Sequence, residues 1–236
     1  MSRNYRTDSH FDLVERVILR CVVGSRAYGL DREGSDTDRR GAYLPPADLH
    51  WSLAGAPPQL QNESTQEVYW EIQKFIVLAL KANPNVLECL YTPLVETVTP
   101  LGEELLAMRG CFLSRLVHQT YTHYVEAQFR RMQAGLRSRG VVKWRHAMHL
   151  LRLLLSGVTV LREGFVAVDV REHRERLLAV RSGRIRWQEV DAWRRELVAE
   201  FDAALARTTL PAQPDYERAD RFLIRARRRA VEERLP

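Results

Sequence analysis

The segment Val22-Val23-Gly24-Ser25-Arg26-Ala27-Tyr28-Gly29, followed by Gly34-Ser35-Asp36-Thr37-Asp38-Arg39-Arg40-Gly41, concentrates the residue types that phosphate chemistry needs. A strand that ends in Gly-Ser and opens a turn or helix leaves backbone N–H groups unpaired, and a serine hydroxyl beside them completes an anion site. Glycine belongs there because a side chain would hold backbone and ligand apart. Eleven residues on from Ser25, Asp36 and Asp38 stand at i and i+2, which on a strand puts both carboxylates on one face. Two such charges repel unless a cation lies between them, and hard divalent ions take carboxylate and phosphate oxygens together. A phosphate cradle with a paired-aspartate metal site is the equipment of phosphoryl or nucleotidyl transfer.

Basic residues flank this pair. Arg26 lies just past the phosphate turn, and Arg39 and Arg40 alternate, so that one faces the site and the other faces away. We take Arg39 as the inward one. Further on, Lys143 and His146 share a helix face with His149 next along it and Arg152 near by, a basic stripe suited to a triphosphate or a nucleic-acid strand. His146 and His149 lack the further ligands a zinc site needs. Tyr28 suits either stacking on a base or packing. The run Arg225–Arg229 reads as a solvated helix face.

The elements that must carry these groups follow from periodicity. Phe11, Val14, Val17 and Ile18 fall at helical spacing, predicting a helix over 10–20, and Leu19–Val23 then reads as a strand ending at Gly24. A second strand covers Asp36–Leu44 and ends at Pro45-Pro46; residues 45–63 read as loop. Glu67–Glu71 is β-prone and runs into a mostly buried helix closed by Asn83-Pro84, which also marks a stop and cap before a short helix at Asn85–Leu90. From Leu101 to Val231 helical periodicity repeats, with Gly140, Gly157, Gly164 and Gly183 expected at helix ends and Pro211 and Pro214 separating the last two helices. The expected organisation is a small α/β unit over 1–100, which carries the chemistry, and a helical unit over 101–236.

Composition agrees with a globular protein of one large domain or two small ones: 236 residues, 45% hydrophobic, 28% charged, with only 12 glycines and 10 prolines, which excludes disordered and fibrous classes. The net charge of +6 is unevenly spread. Residues 1–110 carry 11 basic against 15 acidic side chains, and residues 111–236 carry 25 against 15, so a net −4 part precedes a net +10 part suited to meeting a polyanion. Three widely spaced cysteines, Cys21, Cys89 and Cys111, argue against a disulfide framework and a zinc site. The first residues have no signal-peptide core and no apolar run approaches the roughly 20 residues that span a bilayer, so a cytoplasmic protein without membrane contact is expected. Nothing in the sequence reads out an oligomeric state.

Gly24-Ser25 followed by Asp36-Thr37-Asp38 resembles the signature of the DNA polymerase beta-like nucleotidyltransferase superfamily. GSRAYGL, SDTDRRGAYLP and KANPNVLECLYTP are similar to the predicted nucleotidyltransferase family with RNA-ligase-associated members, and KWRHAMHLLRLL and LLAVRSG extend the resemblance to about residue 185. The resemblance implies an α+β fold, a small mixed sheet with flanking helices followed by an all-helical C-terminal unit. It implies two Mg²⁺ or Mn²⁺ ions, a nucleoside triphosphate donor, and attack by a hydroxyl on the α-phosphorus with loss of pyrophosphate. Gly24 and Ser25 would hold the β- and γ-phosphates, and Asp36 and Asp38 the metals. The superfamily adds a third carboxylate on a later strand; where an aspartate is expected this chain has Gln66-Glu67, which points to Glu67, with Glu71 as runner-up. The preferred acceptor is an RNA end. A protein or small-molecule acceptor, or a non-catalytic nucleotide- or RNA-binding module, are the alternatives.

Overall fold

The computed structural model describes residues 13–139 and 142–232. Its sheet has five strands: β1 (Val17–Val23), β2 (Asp38–Tyr43), β3 (Gln59–Asn62), β4 (Glu67–Glu71) and β5 (Val95–Val98). They lie in the order β3-β4-β2-β1-β5, with β2 and β4 parallel and every other pair antiparallel, so the sheet is mixed as the resemblance implies.

Register decides what each face of the sheet carries. Val23 pairs with Asp38, Cys21 with Arg40 and Leu19 with Ala42, so these six share one face. Val22 pairs with Arg39, which in turn pairs with Glu67, and Gly41 pairs with Tyr69, so these belong to the other. The first face is covered by helices α3 (Ile72–Leu80) and α4 (Pro84–Tyr91); the second holds a small separate cluster of Leu13, Val17, Tyr43, Leu60 and Tyr69. Gly41 is required at the centre, because a β-carbon there would overlap the Leu19 carbonyl of the neighbouring strand.

Local chemistry explains the helix starts. Glu71 caps α3, accepting from the backbone N–H groups of Gln73 and Lys74, and Asn83 caps α4 with Pro84 in its first turn, as the Asn-Pro pair predicts. Before β1 the expectation differs from the structure. The helical spacing over 10–20 gives way to a strand at Val17, because Val17 and Ile18 are buried against sheet neighbours; residues 10–12 of that stretch lie outside the described residues. The expected loop over 45–63 also holds structure, a five-residue helix α2 (Ala47–Trp51) and the edge strand β3. Earlier in the chain, between β1 and β2, lies α1 (Gly24–Ala27), a single turn directly after β1.

Helix α5 (Pro100–Ala107) crosses β1 and β5, and the chain then becomes helical: α6 (Leu116–Arg139), α7 (Trp144–Glu163), α8 (Arg174–Arg181), α9 (Trp187–Arg207) and α10 (Tyr216–Glu232). Gly164 ends α7 in a left-handed conformation, φ 67°. Gly157 ends nothing. It lies mid-helix in α7, where Phe201 of α9 and Tyr121 of α6 press against it and a β-carbon would collide with the Phe201 ring. Gly140 lies outside the described residues.

One cluster of buried apolar side chains runs from Ile18 in β1 to Ala230 in α10, across the seam expected near residue 100. Full burial of each of its large members, such as Phe75, Phe112, Phe201 and Phe222, contributes about 1.5–3 kcal/mol. The last helix returns to the sheet unit: Arg227 pairs with Glu71 at 3.0 Å and Arg229 with Glu104 at 2.6 Å, so part of the Arg225–Arg229 run anchors α10. Among the described residues no helix is long and apolar enough to cross a membrane.

Candidate active site

β1 delivers the chain to Gly24, whose φ of +71° turns it sharply into α1. That turn is tied on both sides. Tyr28 N–H bonds the Gly24 carbonyl (3.0 Å) and Leu30 N–H the Ser25 carbonyl (2.8 Å). From the helical half, Arg174 donates to the Gly29 carbonyl (2.7 Å), Arg181 to the Leu30 carbonyl (3.0 Å), and Val170 N–H to the Tyr28 carbonyl (3.2 Å). Arg26 spans the loop beyond, donating to the Ser35 carbonyl at 2.9 Å.

Asp38 opens β2 and packs its carboxylate against Gly24, in space that any β-carbon at 24 would occupy. Asp36 lies two residues upstream, outside the strand and exposed, and makes no hydrogen bond or ion pair among the described residues. The structure thus brings the Gly-Ser turn and Asp38 into one cavity of about 180 Å³, lined also by Tyr28, Arg40, Asn85, Glu88, Arg145 and His149.

Of the alternating arginines it is Arg40, not Arg39, that faces this cavity. Arg40 reaches toward Asp38 (3.6 Å) and donates to the Gln66 carbonyl (2.8 Å). Arg39 lies on the opposite face, paired with Glu96 at 2.7 Å. Alternation along a strand says that the two must diverge, and only pairing with β1 and β4 says which way.

Register also separates the third-carboxylate candidates from the aspartates. Glu67 pairs with Arg39 and so lies on the face away from Asp38, while Glu71 is occupied by the α3 cap and by Arg227. One step back along the parallel pair, the position beside Asp38 belongs to Gln66, a non-glycine residue at φ 55°. That conformation costs on the order of 1 kcal/mol. It presents the Gln66 carbonyl to both Arg39 N–H (3.0 Å) and the Arg40 guanidinium. Among the described residues no group of three or more His, Cys, Asp or Glu side chains could hold a metal ion.

The cavity wall contains a buried carboxylate that motif reading did not select. Glu88, 3% exposed, accepts from the Tyr28 hydroxyl and from Arg152, each at 2.7 Å, and the Arg152 guanidinium lies 3.6 Å over the Tyr28 ring. Burial, with Glu88 acting against the opposing charge of Arg152, pushes the Tyr28 phenol well above its ordinary value of 10 and keeps it a donor. Tyr28 therefore packs and bonds rather than standing free to stack on a base. The available signal was a charge in the otherwise apolar, fully buried run Val86–Tyr91.

His149 is held neutral: burial, and then the charges of Arg152, Arg145, His146 and Arg181, lower its pKa to about 4. It borders both the Asp38 cavity and an adjoining one of about 300 Å³, which adds Tyr124, Gln128, His146 and Leu150. Lys143 is exposed at the start of α7 and lines neither cavity; His146, also exposed, lines only the second. Between Lys143 and His146, it is Arg145 that reaches the Asp38 cavity, alongside His149.

The sequence model of a family described as the RNA repair pathway DNA polymerase beta family matches residues 3–225 of the chain. No curated protein and no solved structure matches it.

Proposed function

The chain belongs to the RNA repair pathway DNA polymerase beta family, and from that premise we propose that it transfers a nucleoside monophosphate from a nucleoside triphosphate to a hydroxyl at an RNA end, with a divalent cation and loss of pyrophosphate. The observation that carries the reading is the contact of Gly24 with Asp38 inside one cavity, with Asp36 exposed two residues upstream.

The donor set fits a cation carried by the substrate. Mg²⁺ or Mn²⁺ is commonly held by one or two carboxylates together with substrate phosphates and water, and Asp36 and Asp38 would be those carboxylates. A cation bound there supplies neutralising charge to the triphosphate and favours the ionised acceptor hydroxyl. With Glu67 on the other face, a second ion would depend on the same two aspartates and the substrate.

The chain's own groups do the rest. Gly24 lets the triphosphate approach the backbone, and the Ser25 hydroxyl donates to a phosphate oxygen. Arg40, held by the Gln66 carbonyl, carries positive charge where it can meet the departing pyrophosphate. The buried Tyr28–Glu88–Arg152 group fixes the wall against which the nucleotide is aligned for in-line attack.

A second reading, a nucleotide- or RNA-binding module without transfer, draws on one observation: β4 offers no carboxylate on the Asp38 face, since Glu67 pairs with Arg39 on the other, and the Glu88 carboxylate in the cavity wall is taken by Tyr28 and Arg152. One experiment separates the two. Incubation with Mg²⁺ or Mn²⁺, α-labelled nucleotides and 3′-hydroxyl RNA is expected to label the RNA, and Asp36→Ala to abolish labelling. Binding with no labelled product across RNA, protein and small-molecule acceptors would establish the module instead.

A further inference from the structure

We propose that Arg32, Arg145 and Arg181 form a seat for the backbone phosphates of a single-stranded RNA acceptor where it leaves the Asp38 cavity. The inference rests on the reading of that cavity as a site of transfer to RNA.

The three arginines come from different parts of the chain. Arg145 is the second residue of α7 and lines the Asp38 cavity. Arg181 ends α8 and is fastened by the Leu30 carbonyl to the loop that carries Arg32. Arg32 and Arg145 are exposed, and their side chains make no hydrogen bond or ion pair among the described residues. Asp31 and Glu33 flank Arg32 in sequence, yet neither pairs with any of the three.

The charges that Arg181 feels are of its own sign. Burial, then Arg32, then Arg145 lower its pKa from the usual guanidinium value. The fold brings like charges together, and among the described residues no carboxylate pairs with any of the three, an arrangement that becomes favourable when an anion binds.

Position distinguishes that anion from the triphosphate. Arg145 lines the cavity with Asp38, but Arg32 and Arg181 do not, so an anion reaching all three must continue outward from the reaction centre. A nucleic-acid strand has charges in such a row. In the adjoining cavity, which shares His149 with the one that Arg145 lines, Tyr124 is 47% exposed beside His146 and offers a ring for an unpaired base. Cations that track a backbone next to aromatic platforms are the means by which single strands are bound.

The test uses fluorescence anisotropy of a short labelled single-stranded oligoribonucleotide, without nucleoside triphosphate, across a series of salt concentrations. The wild type is expected to bind, and Arg32→Ala, Arg145→Ala and Arg181→Ala each to weaken binding several-fold and to flatten the logarithmic salt slope by about 0.7 for each lost phosphate contact. Arg181→Lys is expected to keep most of the affinity, which separates loss of charge from a disturbed fold. A fluorescent nucleoside triphosphate should bind Arg32→Ala as it binds the wild type. Unchanged RNA affinity and slope in the alanine variants, no RNA binding by the wild type, or a loss confined to the nucleotide would each overturn the seat. RNA binding that depends on these arginines in a protein that labels no RNA would leave the seat standing and remove the transferase reading.

Discussion

Gly24 and Asp38 touch across the head of the sheet, the glycine contributing nothing but backbone and the aspartate filling the space a side chain would take. Gly24→Ala therefore has two consequences. The φ of +71° costs about 1 kcal/mol for an alanine, and the new methyl displaces the Asp38 carboxylate. Nucleotide transfer is expected to fall about 100-fold, the scale of a misplacement near 1 Å, with a modest loss of melting temperature. Full activity in Gly24→Ala would refute the importance of this contact.

Asp36→Asn and Asp38→Asn are expected to reduce transfer about 100-fold or more, because each removes a carboxylate from the proposed cation site, and chelation with EDTA should have the same effect on the wild type. Asp36→Asn should melt like the wild type, since Asp36 is exposed and unpartnered among the described residues. Glu67→Gln tests the register: with its side chain on the far face, kcat/KM should stay within about twofold of the wild type. A large loss in Glu67→Gln would return Glu67 to the site.

Glu88 and Arg152 form a buried ion pair at 2.7 Å, with side-chain exposures of 4% and 8%. Removing one partner leaves the other charged and unpaired, so Glu88→Ala should lower the unfolding free energy by about 3–5 kcal/mol in urea titrations. Glu88→Leu combined with Arg152→Met should recover much of that loss. The double variant is expected to remain impaired in transfer, because Tyr28 loses the acceptor that holds it beside the Gly24–Ser25 turn.

His149 links stability to pH. Its pKa is near 6.5 when unfolded and about 4 in the fold, so between these values the unfolded chain binds the extra proton. The contribution of His149 to stability is present above about 6.5 and is lost as the pH falls toward 4. Melting temperatures measured over this range should drop less steeply in His149→Gln. An anion bound at Arg145 and Arg181 screens the cations that depress the group, so the ring's titration, followed by NMR, should move upward when RNA is added. A midpoint that stays near 4 would contradict the shared field.

Much of this protein is determined locally and so can be read from sequence alone. The order strand, Gly-Ser, Asp-x-Asp depends on backbone freedom at Gly24 and on the spacing of two acids. The caps at Asn83-Pro84 and the stop at Gly164 are short-range hydrogen-bond and φ requirements. What the sequence could not decide is which way alternating side chains point. Arg39 and Arg40, or Gln66 and Glu67, are equivalent until β2 is paired with β1 and β4, and a shift of one residue would exchange the two faces. Gly157 looked like a helix end because its packing partners, Tyr121 and Phe201, are distant in the chain. For the same reason Glu88 acquires its role only when Arg152, 64 residues away, is buried against it, and the three like charges of Arg32, Arg145 and Arg181 meet only after three separate segments have folded together. Spacing along the chain points to the chemistry proposed for this protein, and tertiary packing decided which side chains face that cavity, because the partner that orients each of them lies far away in sequence.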